Sequence, residues 1–316
     1  MTNQLDSSTA VSWKALSKEL SIVIPAFNEE NGVGSMLEEL EQALPDAEII
    51  IVDDGSSDGT CEKVSQFRSV TLIRHLFNRG YGAALKTGMR ASSRPYIAWF
   101  DADGEMRVED LAAMTERLIV SSLAAVIGSR SRRAVTHVRT VGKAVLRMTA
   151  RMLGLRMGHD LNCGLRVFRR AAILPYLAIL PDGYSASTTS TMIMAERGYT
   201  VEFHSVSMKP RIGQSKVRLV HGFNALIIIL RTVMLFSPLR IFMGLGLPLL
   251  AGGFLYAAII LILVNKGVPA LAVISVLAGL LLLCVGLLAD QISQMRLSQL
   301  RRDIDVIASP LAEKET

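Results

Sequence analysis

The sequence predicts an α/β fold with a mostly parallel, doubly wound sheet, followed by a hairpin of two membrane-spanning helices. Short apolar runs alternate with helical patterns through the first two-thirds of the chain, as in buried parallel strands joined by helices. Polar residues follow these runs, where open α/β sheets bind their ligands. Two long runs without charge, at 241–264 and 269–289, lie near the C-terminus. Each can cross roughly 30 Å of hydrocarbon as a helix.

Four apolar runs predict the strands of the first half of the sheet. They lie at 21–25, 49–52, 70–74 and 96–100. A helix is expected after each strand, because apolar residues then recur at helical spacing. The first helix has Met36, Leu37, Leu40 and Leu44 on one face, and the others are expected at 58–67, 82–91 and 108–120.

The composition indicates one large domain and a smaller apolar part. The chain has 316 residues, of which 50% are hydrophobic, with a net charge of +6, and its mean hydropathy of +0.37 is high for a purely soluble protein. The first 20 residues lack the apolar core of a signal peptide. Cys61, Cys163 and Cys284 have no metal-ligand spacing and fit a reducing compartment. A buried helical pair would also explain the two charge-free runs, but such a pair is hard to bury in a small domain.

Basic residues predict the orientation of the hairpin in the cytoplasmic membrane. Lys266 alone lies in the turn, whereas the residues that flank the hairpin at its two ends are Arg231, Arg240, Arg296, Arg301 and Arg302. Both termini and the large domain should therefore face the cytoplasm. The expected segments are an N-terminal extension at 1–20, a cytoplasmic domain at 21–215, a juxtamembrane interface helix at 216–238, the hairpin at 239–290 and a cytoplasmic tail at 291–316.

Two carboxylates one residue apart follow the strand at 96–100, in the stretch Asp101-Ala102-Asp103-Gly104. Unpaired carboxylates repel each other and lose hydration when buried, so the pair either lies in a solvated turn or holds a cation. Mg²⁺ and Mn²⁺ take oxygen ligands, usually one or two carboxylates with substrate phosphates. Because acidic residues end other strands too, a metal site is the favoured interpretation.

The motifs after the other strands have both structural and ligand-binding interpretations. The polar residues 28–30 could begin a helix or face a ligand. In VDDGSSDGT, Asp58 could cap a helix, which would leave Asp54 to accept the N–H of a nucleobase. Gly80 and Gly82 precede a helix, but their spacing matches neither the phosphate loop nor the dinucleotide fingerprint and is weak evidence of phosphate binding.

The stretch 130–158 is rich in Lys and Arg and contains no Asp or Glu. Four of its basic residues recur every four positions and would share one helix face, namely Arg139, Lys143, Arg147 and Arg151. That face could be merely solvated, or it could lie on an anionic membrane surface near a lipid phosphate. No aromatic platform or nucleic-acid-binding motif accompanies it, so we expect no nucleic-acid partner.

Taken together, the motifs IVIPAFNEE, IIIVDDGSSDGT, NRGYGAALKTG, WFDADGE and IGSR resemble those of the family-2 glycosyltransferases, which have the Rossmann-like GT-A fold. DLNCGLRVFRR, PRIGQSKV and the membrane helices are similar, more narrowly, to the polyprenyl-phosphate glycosyltransferases, which include dolichol-phosphate mannose synthases and bacterial undecaprenyl-phosphate sugar synthases. The resemblance extends from about Ser21 to Val217.

The resemblance implies an inverting transfer of a sugar from a UDP- or GDP-linked donor to a polyprenyl phosphate at the membrane. Asp101 and Asp103 would bind Mg²⁺ or Mn²⁺, with Asp103 as the main ligand, and Asp160 would orient basic groups or the acceptor. The residues implied to line the nucleotide-sugar pocket are Pro25, Phe27, Glu29, Asp54, Ala102 and Glu105. Those implied to neutralise phosphate oxygens are Arg130, which also belongs to the catalytic set, Arg211 and Lys216.

Two departures from the family pattern bear on which sugar is transferred. Gly104-Glu105 stands where relatives usually have Leu-Gln, and about Thr189 many relatives carry a glutamate. The chain also lacks a QxxRW motif, which argues against a processive polysaccharide synthase.

Two other functions and the oligomeric state remain open at this point. A glycosyltransferase with a neutral lipid acceptor would need a base near the sugar. A catalytically silent membrane scaffold would keep the fold but bind donor without turnover. The small residues Gly244, Gly246, Gly252 and Gly253 permit close helix packing and are compatible with a homo-oligomer, without fixing the number of subunits.

Overall fold

The computed structural model describes residues 16–130, 160, 163–209, 234, 238–263 and 267–305, with side chains as far as residue 295 in the last range. The chain divides into two compact units, one up to residue 219 and one from residue 220 on. Several predictions fall outside the described residues: those for the extension up to residue 15, for most of the interface helix at 216–238, and for Arg139, Lys143, Arg147, Arg151, Arg211 and Lys216.

The described part of the first unit contains a seven-stranded sheet. Its strands are β1 (Leu20–Ala26), β2 (Glu48–Asp53), β3 (Val70–Arg74), β4 (Tyr96–Trp99), β5 (Ala125–Arg130), β6 (Arg166–Arg169) and β7 (Val201–Val206). Its helices are α1 (Val33–Ala43), α2 (Thr60–Val64), α3 (Tyr81–Ala91), α4 (Val108–Val120), α5 (Arg170–Ile173) and α6 (Ala186–Glu196). A 3-10 turn at Leu174–Tyr176 follows α5.

The strand order is β3-β2-β1-β4-β6-β5-β7, and the sheet is a GT-A-like mixed sheet. Strands β1 to β4 pair in parallel, as do β5 and β7, so the predicted α/β fold is confirmed. Among the described strands, β6 alone runs antiparallel to its neighbours β4 and β5. Arg166, its first residue, therefore pairs with Trp99 at the end of β4. This reversal brings the residues before β6 to the edge where β4 ends.

The sheet is covered by helices on both faces, and alternate residues of one strand pack on opposite sides. Ile49 and Ile51 of β2 belong to the core that contains α1 and α4, whereas Ile50 and Val52 pack against Ala84 of α3. Helix α3 lies very close to the sheet, because a Cβ at Gly88 would overlap the Val23 side chain. Burial on both faces explains why β1 and β2 are continuous apolar runs.

The second unit contains the helices α7 (Pro238–Leu263) and α8 (Ala270–Asp305), which form the predicted hairpin. Both are long and apolar enough to cross a membrane, and most of their side chains are exposed. Of the small residues in α7, Gly246 and Gly253 face α8: a Cβ at Gly246 would lie 3.0 Å from the Gly279 carbonyl oxygen, and one at Gly253 2.8 Å from Val276. Among the residues that the structure describes, nothing lies within 4 Å of a Cβ built at Gly244 or Gly252.

Candidate active site

The parallel strands β1, β2 and β4 end at one edge of the sheet, and their carboxyl ends carry the predicted site residues. Phe27 directly follows β1, Asp54 follows β2, and Asp101 and Asp103 lie just beyond β4. Parallel pairing therefore brings together residues that are far apart in the sequence, as the α/β pattern predicts.

Asp101 is held in a defined position at the end of β4. Its Oδ1 accepts a hydrogen bond of 2.9 Å from the hydroxyl of Tyr81, the first residue of α3. Burial, together with the neighbouring Asp103 carboxylate, raises the pKa of Asp101 to about 7. Gly164 lies on its other side, so no larger residue fits beside the carboxylate.

Asp103 lies in the turn that leads from β4 towards α4. Its Oδ1 accepts a hydrogen bond of 3.1 Å from the backbone N–H of Glu105, and Gly104 between them has a φ of +73°, which favours glycine. Glycine at position 104 thus lets the chain turn so that Asp103 and Glu105 stay together. The positive φ therefore explains why glycine, and not the leucine usual in relatives, stands at position 104.

The two carboxylates suit a divalent cation that also binds a diphosphate. Within the described ranges, no group of three or more His, Cys, Asp or Glu side chains is placed to hold a metal ion by itself. Mg²⁺ and Mn²⁺ commonly use one or two carboxylates and complete their coordination with phosphate oxygens and water. A nearby cation would also favour ionised Asp101, whose pKa burial and Asp103 raise.

The motif after β1 interlocks with the loop after β2. The Asn28 N–H donates to Ser56 Oγ at 2.9 Å, and the Ser57 N–H donates to Asn28 Oδ1 at 2.8 Å. The Glu29 N–H in turn donates to Thr60 Oγ1 at 2.9 Å. These hydrogen bonds hold the loop after β1 and the loop after β2 together, and the two loops form one wall beside the site. Residues 28–30 therefore stabilise these loops. The interpretation that they begin a helix is wrong, because α1 begins at Val33 with Gly32 as its N-cap and has no acidic residue in its first turn.

The other predicted pocket residues differ in how far they reach the surface. Pro25 and Ala102 are buried, Glu29 and Glu105 are partly buried, and the ring of Phe27 is 38% exposed at the end of β1. Of this group, Phe27 offers an aromatic face at the surface. The nucleotide contacts of these residues stay predictions.

Asp54 binds the protein itself in this structure. It is only 3% exposed, and its carboxylate accepts hydrogen bonds from His75 Nδ1, the Arg79 N–H and the Gly80 N–H at 2.7 to 2.9 Å. His75 also contacts Thr87 Oγ1 at 2.9 Å. Asp54 therefore holds the loop between β3 and α3, and its contact with a nucleobase stays a prediction.

Asp58 and the glycine motif both act within the fold. Asp58 accepts hydrogen bonds from the backbone N–H groups of Thr60, at the start of α2, and of Glu30. The N–H groups of Gly82 and Ala83, in the first turn of α3, donate to the Asp182 carbonyl oxygen at 2.7 and 3.1 Å. The start of α3 is therefore bonded to the segment before α6, and the glycines have a structural use in this close contact.

Arg130 ends β5 at the same edge of the sheet and forms an ion pair of 2.5 Å with Asp160. The hydrogen bond to Asp160 raises the pKa of Arg130. The Asp160 N–H contacts Ser129 Oγ at 3.3 Å, so both partners are fixed to the end of β5. Asp160 thus orients a basic group in this structure, while phosphate binding by Arg130 stays a prediction.

Arg166 is a buried cation that the sequence alone did not single out. Its Nε donates to the Cys163 carbonyl oxygen at 2.8 Å, and its Nη1 donates to the hydroxyls of Ser190 and Thr191 at 3.1 and 2.6 Å. The guanidinium also lies 5.8 Å from the centre of the Trp99 ring. Burial lowers the pKa of Arg166 to about 10. The signal in the sequence is the run of hydroxyls in α6, which otherwise has no reason to be buried.

Thr189 lies in that run, at the position where many relatives carry a glutamate. The side chain is 1% exposed, and its Oγ1 makes no hydrogen bond within the part of the chain that the structure describes. A threonine hydroxyl does not act as a carboxylate base at neutral pH. The departure at Thr189 therefore removes a candidate general base from this helix.

Comparison with protein families identifies both units. The chain matches the model of Glycosyl transferase family 2 over residues 21–173 and that of the GtrB C-terminal hairpin over residues 237–295. An uncharacterized protein of Methanocaldococcus jannaschii is 30% identical over 189 residues, which cover 57% of this chain and 77% of that protein. An undecaprenyl-phosphate 4-deoxy-4-formamido-L-arabinose transferase of Aeromonas hydrophila is 27% identical over 305 residues, or 88% of this chain and 89% of the relative.

Solved structures agree with the fold of the first unit. Glucosyl-3-phosphoglycerate synthase from Mycobacterium tuberculosis in complex with UDP has a TM-score of 0.56 at 17% identity, covering 73% of this chain and 86% of that one. Its complex with Mn²⁺, UDP and glucosyl-3-phosphoglycerate has a TM-score of 0.53 at 15% identity, covering 74% of this chain and 84% of that one. At such low identity these likenesses show the fold alone. The sheet, the hairpin and the matches to both family models together show that the chain belongs to glycosyltransferase family 2 and carries the GtrB-type C-terminal hairpin.

Proposed function

We propose that the chain transfers a sugar from a nucleoside-diphosphate sugar to the phosphate of a polyprenyl phosphate at a membrane surface. The observation that carries the proposal is the carboxylate pair Asp101 and Asp103 at the carboxyl edge of a GT-A-like sheet, in a chain that also has two helices able to cross a membrane. Relatives that align with both units are named undecaprenyl-phosphate 4-deoxy-4-formamido-L-arabinose transferases.

Asp101 and Asp103 are the proposed ligands of Mg²⁺ or Mn²⁺. The solved synthase of the same fold forms complexes with UDP and either metal. Asp101 and Asp103 would hold the cation, which would supply positive charge to stabilise the departing nucleoside diphosphate. Tyr81 keeps the Asp101 carboxylate oriented through its 2.9 Å hydrogen bond.

The proposed donor pocket lies beside this pair, against the interlocked loops after β1 and β2. The exposed ring of Phe27 offers a stacking surface for the base. Asp54 keeps the loop from His75 to Gly80 in place through its three hydrogen bonds. Hydrogen bonds thus hold this wall together without the donor, which would lower the entropy cost of binding.

Arg130 is the proposed contact to phosphate oxygens, together with Arg211, Lys216 and the basic face at 139–151. Asp160 holds its guanidinium in place, which preorganises the charge. An oxygen of the lipid phosphate would attack the anomeric carbon as the bond to the diphosphate breaks, with inversion of configuration. That phosphate is already ionised near neutral pH, so no general base is needed, in agreement with a buried threonine at position 189.

The proposal includes the orientation of the chain in the membrane. The basic residues around the hairpin favour a cytoplasmic location for the first unit and for both termini. A cytoplasmic nucleotide-sugar would then reach the site directly. The donor sugar and base, and the number of subunits, are left open by this proposal.

A transfer assay on the full chain in detergent tests the function. Polyprenyl phosphate, Mg²⁺ or Mn²⁺ and a panel of radiolabelled UDP- and GDP-sugars are supplied, with EDTA as the control. Movement of label into the lipid phase with one donor, and its loss with EDTA, is the expected result. Transfer to diacylglycerol or ceramide, but not to polyprenyl phosphate, would contradict the proposed acceptor. Donor binding without transfer to any lipid would indicate a silent scaffold.

A further inference from the structure

Tyr184 is a large aromatic residue at the surface, and yet it is held in a fixed place. Its ring is 77% exposed and stacks on Tyr81, with 5.2 Å between the ring centres and an interplanar angle of 20°. Tyr184 lies just before α6, at the end of the segment that contacts α3. A surface tyrosine without a function would not need to be held in place by stacking on a second ring.

The segment before Tyr184 is fastened to α3 by several bonds. The Asp182 carbonyl oxygen accepts from the N–H groups of Gly82 and Ala83. Lys86 Nζ donates to the Leu180 carbonyl oxygen at 3.1 Å and forms an ion pair with the Asp182 carboxylate. These bonds at Leu180 and Asp182 therefore hold the segment that leads into Tyr184 against α3.

The glycines of NRGYG allow this close approach. A Cβ at Gly82 would overlap the Pro181 carbonyl oxygen, and one at Gly80 would come within 2.5 Å of the Asp182 carbonyl oxygen. Gly80 also has a φ of +101°, in the region that favours glycine. The two glycines therefore let the segment that carries Tyr184 pack closely against the start of α3. Tyr81 lies between these glycines in the sequence.

Tyr81 connects Tyr184 to the carboxylate pair. Its hydroxyl donates to Asp101 Oδ1 at 2.9 Å, while its ring stacks on Tyr184. Tyr81 thus lies between Asp101, which it contacts through its hydroxyl, and Tyr184, which it contacts through its ring. A nucleoside-diphosphate sugar whose phosphates bound at Asp101 and Asp103 would hold its sugar ring beside these residues, because the sugar is bonded directly to the second phosphate.

We infer that Tyr184 is a positioning residue that stacks on the sugar ring of the donor. The inference rests on the proposed function and concerns its donor site. A sugar ring combines a C–H face, which packs on an aromatic ring, with hydroxyls that stay hydrated. The neighbours of Tyr184 suit such a ligand, because Asp182 is exposed and Ser185 is partly exposed and polar. An isoprenoid chain would instead need a continuous apolar surface.

Binding measurements on the full chain in detergent test the inference without any acceptor. Isothermal titration with Mn²⁺ present compares UDP with UDP-glucose and GDP with GDP-mannose, for the wild type and for Tyr184→Ala. We expect Tyr184→Ala to weaken binding of the nucleotide-sugar about 3- to 10-fold and to leave binding of the matching bare nucleoside diphosphate unchanged. Tyr184→Phe keeps the ring and should bind like the wild type.

The matched control is Val120→Ala, which truncates an exposed apolar residue at the end of α4 and should change neither affinity. Equal weakening of diphosphate and nucleotide-sugar would mean that Tyr184 only supports Tyr81 and Asp101, and would overturn the inference. A raised KM for polyprenyl phosphate with unchanged donor affinity would also overturn it, in favour of a lipid contact. If the wild type bound none of the four probes, the proposed donor class itself would fail, and the inference with it.

Discussion

Gly164 lies directly against the carboxylate of Asp101, so that a Cβ at position 164 would come within 2.5 Å of Asp101 Oδ2 and 2.9 Å of the Met106 methyl group. Gly164 comes from the segment before β6, and Asp101 from the end of β4. The antiparallel pairing of these two strands is what brings them together. The position of the Asp101 carboxylate, a proposed metal ligand, thus depends on a glycine that is distant in the sequence.

We expect Gly164→Ala to lower activity on the order of 100-fold, because the new methyl group must turn the Asp101 carboxylate away from its bond to Tyr81. Transfer activity and Mn²⁺ affinity in the presence of nucleoside diphosphate would measure this effect. Gly34→Ala is the control, since no described residue of the chain lies within 4 Å of a Cβ at that position. Unchanged Mn²⁺ affinity in Gly164→Ala would show that Asp101 does not bind the metal.

Asp103→Ala should abolish turnover, by about a thousand-fold or more, because the departing diphosphate loses its bound cation. The fold should survive, because the Asp103 carboxylate bonds to the backbone of its own turn. Circular dichroism would check the fold, and transfer assays over a range of Mg²⁺ and Mn²⁺ concentrations would check the metal role. Activity that recovers at saturating metal would contradict the assignment of Asp103 as the main ligand.

Arg166→Met should destabilise the protein by about 3 kcal/mol, because it leaves the Cys163 carbonyl oxygen and buried hydroxyls without their donor. Arg166→Lys should recover only part of this loss, since one ammonium cannot reproduce the planar fork of a guanidinium. Thermal unfolding in detergent would measure both variants. Arg90→Met, which changes an exposed arginine in the last turn of α3, is the control. A midpoint for Arg166→Met equal to that of the control would refute this role.

Cys163 should be far less reactive towards a soluble maleimide than the partly exposed Cys61. Burial raises the pKa of the Cys163 thiol, so its reactive thiolate is scarcer at a given pH and increases only as the pH rises further. Mass spectrometry of the labelled protein between about pH 7 and 9 would follow each site. Denaturant should remove the difference. Fast labelling of Cys163 in the folded protein would contradict its buried position.

Gly246→Val should loosen the hairpin, with an expected cost of about 1–3 kcal/mol for overpacking. The added side chain would meet the Gly279 carbonyl oxygen and Leu283 in α8. Gly244→Val is the matched control, because a Cβ at that position has no described part of the protein within 4 Å. Thermal stability of the full chain in detergent would compare them. Equal midpoints for the two variants would argue against close packing at Gly246.

The parallel half of the sheet was predictable, since buried strands leave a continuous apolar signal in the sequence. The strands predicted at 21–25 and 49–52 lie within the buried strands β1 and β2, and the helix predicted at 108–120 matches α4. The direction of β6 was not predictable, because the four residues RVFR carry no local mark of strand direction. The reversal depends on pairing with β4 and β5, which are distant in the chain.

The carboxylate pair of the site was also predictable, because two acids directly after an apolar strand are visible in the sequence. The bonding of Asp54 was not, since its partners at 75, 79 and 80 follow from how the next loop folds. The same holds for NRGYG, whose glycines look like a phosphate site until their contact with Pro181 and Asp182 is known. Local patterns reveal which residues end a strand, and only tertiary contacts reveal which of them are already bonded.

The ion pair between Arg130 and Asp160 joins the two ends of the segment 131–159 at a single point beside the sheet. Arg130 ends β5, and Asp160 is tied to it again through Ser129. Two residues that are 30 positions apart in the sequence thus form one ion-paired corner at the site edge of the sheet. A substitution at either position would therefore alter the position of the other side chain as well.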